Sequence, residues 1–155
     1  MAMTYLLISI AVFAWVVWRM PRKVETLALY GTLLTIVIIE VLISIFQDFR
    51  FDRYGYFSHG IDYAGLLVST GIYPLAATLY LNFFPYGKSL ARKAGYVASS
   101  IICCMLYERG AVYTGMLYYN GWSWWISMIL YPFTLTFLAW MYTWMRRRIE
   151  IDHGF

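Results

Sequence analysis

The sequence predicts an all-α, polytopic transmembrane helical bundle that forms a single domain over residues 1–155. Three observations predict it. Of the residues, 62% are hydrophobic and only 13% are charged, where a soluble domain carries about 25% charge. That is too little charge to coat a water-facing surface. The apolar residues come in runs long enough to cross a bilayer. The cations sit in short clusters between those runs and alternate in sign of exposure from one gap to the next, as they do in membrane loops.

The first run, Ala2–Trp18, has 17 apolar or weakly polar residues, close to the shortest length that spans. No Lys or Arg precedes it and no small-residue cleavage site follows, so a retained helix is expected rather than a secretory signal. The second, Leu27–Phe46, has 20 residues and one charge, Glu40. The third, Tyr63–Phe84, has 22 residues and no charge. The fourth is weaker: Gly95–Tyr107 gives only 13 residues before Glu108 and Arg109. Apolar character resumes at Gly110, so the helix is expected to run through the charged pair, over about Gly95–Thr114. The fifth, Ser123–Met145, has 23 residues and is closed by Arg146, Arg147 and Arg148.

Charge in the gaps sets the expected orientation. Arg19, Arg22 and Lys23 follow the first span, Lys88, Arg92 and Lys93 the third, and the arginine triplet the fifth. Nine cations thus fall on one side of a five-span chain, against Arg50, Arg53 and Arg109 on the other. Cations gather in the cytoplasm, which places the N-terminus outside and the C-terminus inside. The cell membrane is the expected location, and the lipid bilayer the first partner. The same short clusters speak against nucleic acid as a partner despite the net charge of +4. All seven tryptophans lie towards span ends, where an amphipathic ring suits the interface. Adjacent Cys103 and Cys104 make no disulfide framework and read as small packing residues.

Glu40 and Glu108 are the polar residues to explain. Each lies 3.5 positions past the centre of its predicted helix, ~5 Å outward of the midplane at 1.5 Å per residue. Such a residue usually faces the bundle interior with a partner. Two readings follow: hydrogen-bonded glue between helices, or a shared polar site that binds a proton or cation. If the carboxylates form a pair, repulsion and desolvation favour keeping one protonated. Arg109 points about 100° away from Glu108 around the helix. It is expected to snorkel outward or to pair with Glu40.

The loop Gln47–Asp62 mixes Asp48, Arg50, Asp52, Arg53, His59 and Asp62 with aromatics, which suits a segment lying on headgroups. One His among scattered carboxylates fits no metal-ligand spacing, so no metal and no other cofactor is expected. Tyr73-Pro74 and Tyr131-Pro132 each carry Thr four residues after Pro, and each follows a Glu-bearing span. Proline inside a helix frees a carbonyl and tends to kink it, so Pro74 and Pro132 are the expected kinks. Repeats of such a unit occur in transporters.

The series Tyr73-Pro74, Asn82-Phe83-Phe84-Pro85, Tyr96, Glu108, Tyr118-Tyr119, Trp122-Ser123-Trp124 and Tyr131 resembles an uncharacterised family of small multispan membrane proteins from spore-forming Gram-positive bacteria. The resemblance implies a bacterial plasma or spore membrane and supplies no catalytic residue. No His cluster, phosphate loop or nucleophile with a placed base argues for an enzyme. The expected function is that of an accessory or structural component acting through helix packing, with itself or with another membrane protein. The alternative is a small transporter or channel component that uses Glu40 and Glu108.

Overall fold

A charge-free apolar run in lipid satisfies its backbone only by closing its own hydrogen bonds, as a helix does. In the computed structural model, which describes residues 1–46, 53–57 and 63–152, helices dominate accordingly. The first, α1 (Ala2–Arg19), stops at Met20, which is extended (φ −72°, ψ 143°) because Pro21 follows it and excludes helical backbone. Next comes α2 (Thr26–Phe46). The Glu25 carboxylate accepts the N–H groups of Leu27 at 2.8 Å and Ala28 at 2.5 Å. It thereby caps donors that a helix start leaves orphaned.

The third apolar run is built in pieces: α3 (Tyr63–Leu67), a π-helical stretch (Val68–Ile72) and α4 (Tyr73–Phe83). Pro74 lies immediately after the π stretch, where the ladder has already changed its bonding. Pro132 is different, since it lies within an unbroken helix, α6 (Trp124–Asp152). The two Tyr-Pro pairs therefore occupy unlike backbones.

Between them, α5 (Leu90–Tyr113) starts five residues before the expected Gly95 and runs without a break through Glu108 and Arg109. A glycine-based C-cap ends it. Gly115 adopts φ +76°, its N–H donates to the Val112 carbonyl at 3.1 Å, and the Met116 N–H donates to Ala111 at 2.9 Å. This pair of bonds and the left-handed glycine form a Schellman turn. At the far end, α6 continues past Met145 through the arginine triplet, where Arg146 pairs with Glu150 at 2.8 Å.

Helices alone do not complete the fold, and the all-α expectation needs one correction. β1 (Tyr54–Tyr56) pairs antiparallel with β2 (Leu117–Tyr119), with Gly55 opposite Tyr118. Two loops distant in sequence thus form one ribbon, and the stretch expected to lie on headgroups contributes a strand. The Asn120 N–H extends the pairing to the Arg53 carbonyl at 2.7 Å.

The buried apolar residues fall in two clusters. One, around Leu6, Val68, Ile72, Ala111 and Met116, lies beneath the ribbon. The other, around Ala28, Tyr80, Leu81, Ala139 and Tyr142, lies at the end carrying the arginine triplet. There Asn82, 2% exposed, accepts the Lys23 N–H at 2.7 Å and donates to the Pro21 carbonyl at 3.0 Å. The Tyr142 hydroxyl accepts the Glu25 N–H at 2.8 Å. Side chains of α4 and α6 thereby satisfy the backbone of the α1–α2 turn.

Among the described residues, four segments are long and apolar enough to cross a membrane: Ala2–Arg19, Thr26–Ile43, Ala64–Phe83 and Trp124–Ile151. Their outward faces are apolar, with Leu34 64%, Ile129 64% and Phe133 69% exposed. Such a surface suits lipid and not water. With 24 residues, α5 reaches ~36 Å, but it carries Arg92 and Lys93 near one end and Glu108 and Arg109 near the other.

Candidate functional site

Glu108 lies near the ribbon end of α5 and is 6% exposed. One of its carboxylate oxygens accepts hydrogen bonds from the Tyr119 hydroxyl and, at 2.6 Å, from the Ser127 hydroxyl. The other oxygen accepts the Tyr131 hydroxyl. Each hydroxyl donates and the carboxyl oxygens accept.

Three elements place these partners. Tyr119 is the last residue of β2, held by pairing with Tyr54 of β1. Ser127 and Tyr131 are four residues apart on α6, a spacing that puts both on one helix face. The Trp122 indole N–H donates to the Ser127 hydroxyl oxygen at 3.0 Å, leaving that hydroxyl's proton for Glu108. The Tyr54 ring packs against Trp122, tilted by 55° with centroids 4.9 Å apart, and closes the group from the other strand. The network therefore ties α5, β2 and α6 together through one buried acid.

Glu40 is half-buried on α2. It acts on the ribbon tyrosines. Burial pushes the Tyr54 phenol well above its ordinary range, and the Glu40 carboxylate adds to the shift, followed by Glu108. Burial likewise raises Tyr56, again with Glu40 adding. Tyr56 shares a 2.6 Å hydrogen bond with Tyr73. Tyr54 lies in the electrostatic field of both glutamates.

Arg109 turns away from Glu108. It is exposed, and its guanidinium lies 5.5 Å from the centre of the Trp124 ring, a cation–π contact. Comparable contacts join Arg19 to Trp18 at 5.4 Å and Arg148 to Trp144 at 5.5 Å at the opposite end. Cys103 and Cys104 are free thiols on α5. His59 and Asp62 of the Gln47–Asp62 loop lie outside the described residues, as do Asp48, Arg50 and Asp52.

No known protein family, curated protein or solved structure matches this chain.

The chemistry of the site depends on Tyr119, Ser127 and Tyr131, which the sequence did not single out as partners of Glu108. A signal existed for two of them. Ser127 and Tyr131 are polar and four apart, near the start of an apolar helix. Tyr119 had no comparable signal, because its position depends on the pairing of two distant loops.

Proposed function

We propose that this chain is a small integral membrane protein with an accessory or structural role, in which Glu108 locks the ribbon to the helices. The observation that carries this reading is that hydroxyls from two other elements engage both oxygens of a buried carboxyl. A transport site needs an open polar path to its acid. Two cavities lie along α6, one lined by Pro132, Phe133, Thr136, Phe137 and Trp140 and the other in the α5–α6 groove, and neither of these two has Glu40 or Glu108 in its lining.

In the proposed topology α5 is a fifth crossing, the ribbon end faces outward and the arginine end faces the cytoplasm. The nine-to-three distribution of cations supports this. So do the tryptophans: Trp144 follows Trp124 by 20 positions on one helix, a rise of ~30 Å, which equals the thickness of the hydrocarbon core. A bacterial plasma or spore membrane is the location implied by the family resemblance. Assembly with itself or another membrane protein belongs to the same proposal.

Substitution at Glu108 tests the role. Glu108→Gln keeps hydrogen-bonding capacity and is expected to insert and assemble with mild loss of stability. Glu108→Leu is expected to assemble poorly. Proton or cation flux through wild-type proteoliposomes that Glu108→Gln abolishes, with assembly intact, would establish the transporter reading instead.

A further inference from the structure

A groove of about 580 Å³ runs between α5 and α6 at the arginine end. Its floor is made of small and aliphatic side chains, Val97, Ala98 and Ile101 from α5 with Thr136 and Ala139 from α6. Trp140 and Trp144 form part of its wall and are 58% and 41% exposed. Its mouth carries Lys93 and Arg147, which come from antiparallel helices and meet at the same end. An apolar trough with two cations at one end matches a molecule that is hydrocarbon along its length and anionic at its head.

We propose that this groove is a binding site for an anionic phospholipid of the cytoplasmic leaflet. The phosphate is held by Lys93 and Arg147, and an acyl chain lies against Val97, Ala98 and Ala139. Basic pockets between membrane helices recognise acidic headgroups through this combination. Charge decides against a second copy of the chain as occupant. Among the described side chains at this end, Glu25 is used as the cap of α2 and Glu150 pairs with Arg146. Among the described residues, Lys93 and Arg147 make no ion pair. A second copy in the same orientation would bring its own cations to them, and its described carboxylates at that end are the same two, already engaged.

The site rests on the proposed crossing of α5 beside α6, and cysteine labelling of the Lys88 loop tests that crossing independently. The lipid site is tested by native mass spectrometry of the full chain released from phosphatidylcholine nanodiscs doped with phosphatidylglycerol. At about 1 kcal/mol per cation near an acidic surface, two cations favour phosphatidylglycerol over phosphatidylcholine roughly 30-fold. Lys93→Gln or Arg147→Gln is expected to reduce that preference about fivefold each. Arg92→Gln, outside the groove lining, is expected to leave it unchanged. Ala98→Leu, which narrows the seat of the acyl chain, is expected to reduce retention of both lipids. Equal retention of the two lipids by the wild type would overturn the proposal. So would an unchanged preference in the Lys93→Gln, Arg147→Gln double variant. A lipid-free dimer that Ala98→Leu dissociates would assign the groove to a second copy. Loss of lipid preference with correct loop labelling would refute the lipid site and leave the topology standing.

Discussion

A single buried acid organises the ribbon end, and its hydrogen bonds have a measurable size. Side-chain bonds between membrane helices are worth about 0.6 kcal/mol on average and up to ~1.7 kcal/mol. Three bonds to Glu108 therefore contribute roughly 2–5 kcal/mol. Glu108→Leu is expected to lose most of this in thermal unfolding in detergent, and Glu108→Gln less than half. Tyr131→Phe removes one donor and is expected to cost about 1 kcal/mol; a loss as large as that of Glu108→Leu would mean that Tyr131 acts through packing and not through its hydroxyl. The ribbon tyrosines make a pH prediction. Burial, with Glu40 adding, raises Tyr54 and Tyr56 above their ordinary 10.0. Below that value the phenols are neutral in both folded and unfolded chains. As pH rises past it, the unfolded chain ionises first, so stability falls with rising pH. Phenolate absorbance at these two positions, isolated by Tyr→Phe differences, is expected to appear only as the fold is lost.

At the scale of elements, the ribbon joins two loops that the helices alone leave independent. Its weak point is Gly55. A Cβ there would lie 2.7 Å and 2.8 Å from the Cζ and Cε1 of Tyr118, whose ring covers this glycine from the facing strand. Gly55→Val must therefore push the Tyr118 ring aside, and is expected to weaken the Tyr54–Tyr56 pairing that positions Tyr119. Protease or hydrogen-exchange protection at Leu117–Tyr119 would report it; unchanged protection would show that β2 is held by the helices without β1. Gly110 shows a gentler constraint. A Cβ there meets the Tyr5 hydroxyl at 2.6 Å, the flexible end of a side chain that donates to the Tyr107 carbonyl at 3.1 Å. The missing side chain at Gly110 leaves room for the Tyr5 ring of α1 against α5.

For the whole molecule, the two ends differ in character. The ribbon end is tied by strand pairing and an acid network. The arginine end is tied by Asn82, Tyr142 and the Glu25 cap, and it carries the cations. This polarity gives the topology prediction. In a background lacking Cys103 and Cys104, single cysteines placed in the Lys88 loop, the Arg22 turn and beyond Arg148 are expected to resist labelling by an impermeant reagent in intact cells. A cysteine in the ribbon is expected to react. Labelling of the Lys88 loop from outside would eliminate the five-crossing arrangement.

Composition and charge order alone determined the helical class, the apolar runs and the continuation of a helix through Glu108 and Arg109. These are local properties, because a backbone in lipid has few ways to satisfy its own polar groups. The sequence also marked Glu108 as a residue needing partners, since an acid in an apolar helix is costly by itself. Only the tertiary structure decided which partners those are. Tyr119 reaches Glu108 because β1 and β2 pair across a separation of some sixty residues, and that register is set by where the helices bring the two loops. The unlike backbones at Pro74 and Pro132 were equally invisible in matching Tyr-Pro motifs. A π stretch depends on how neighbouring helices accept the extra residue, and the motif itself does not encode those neighbours.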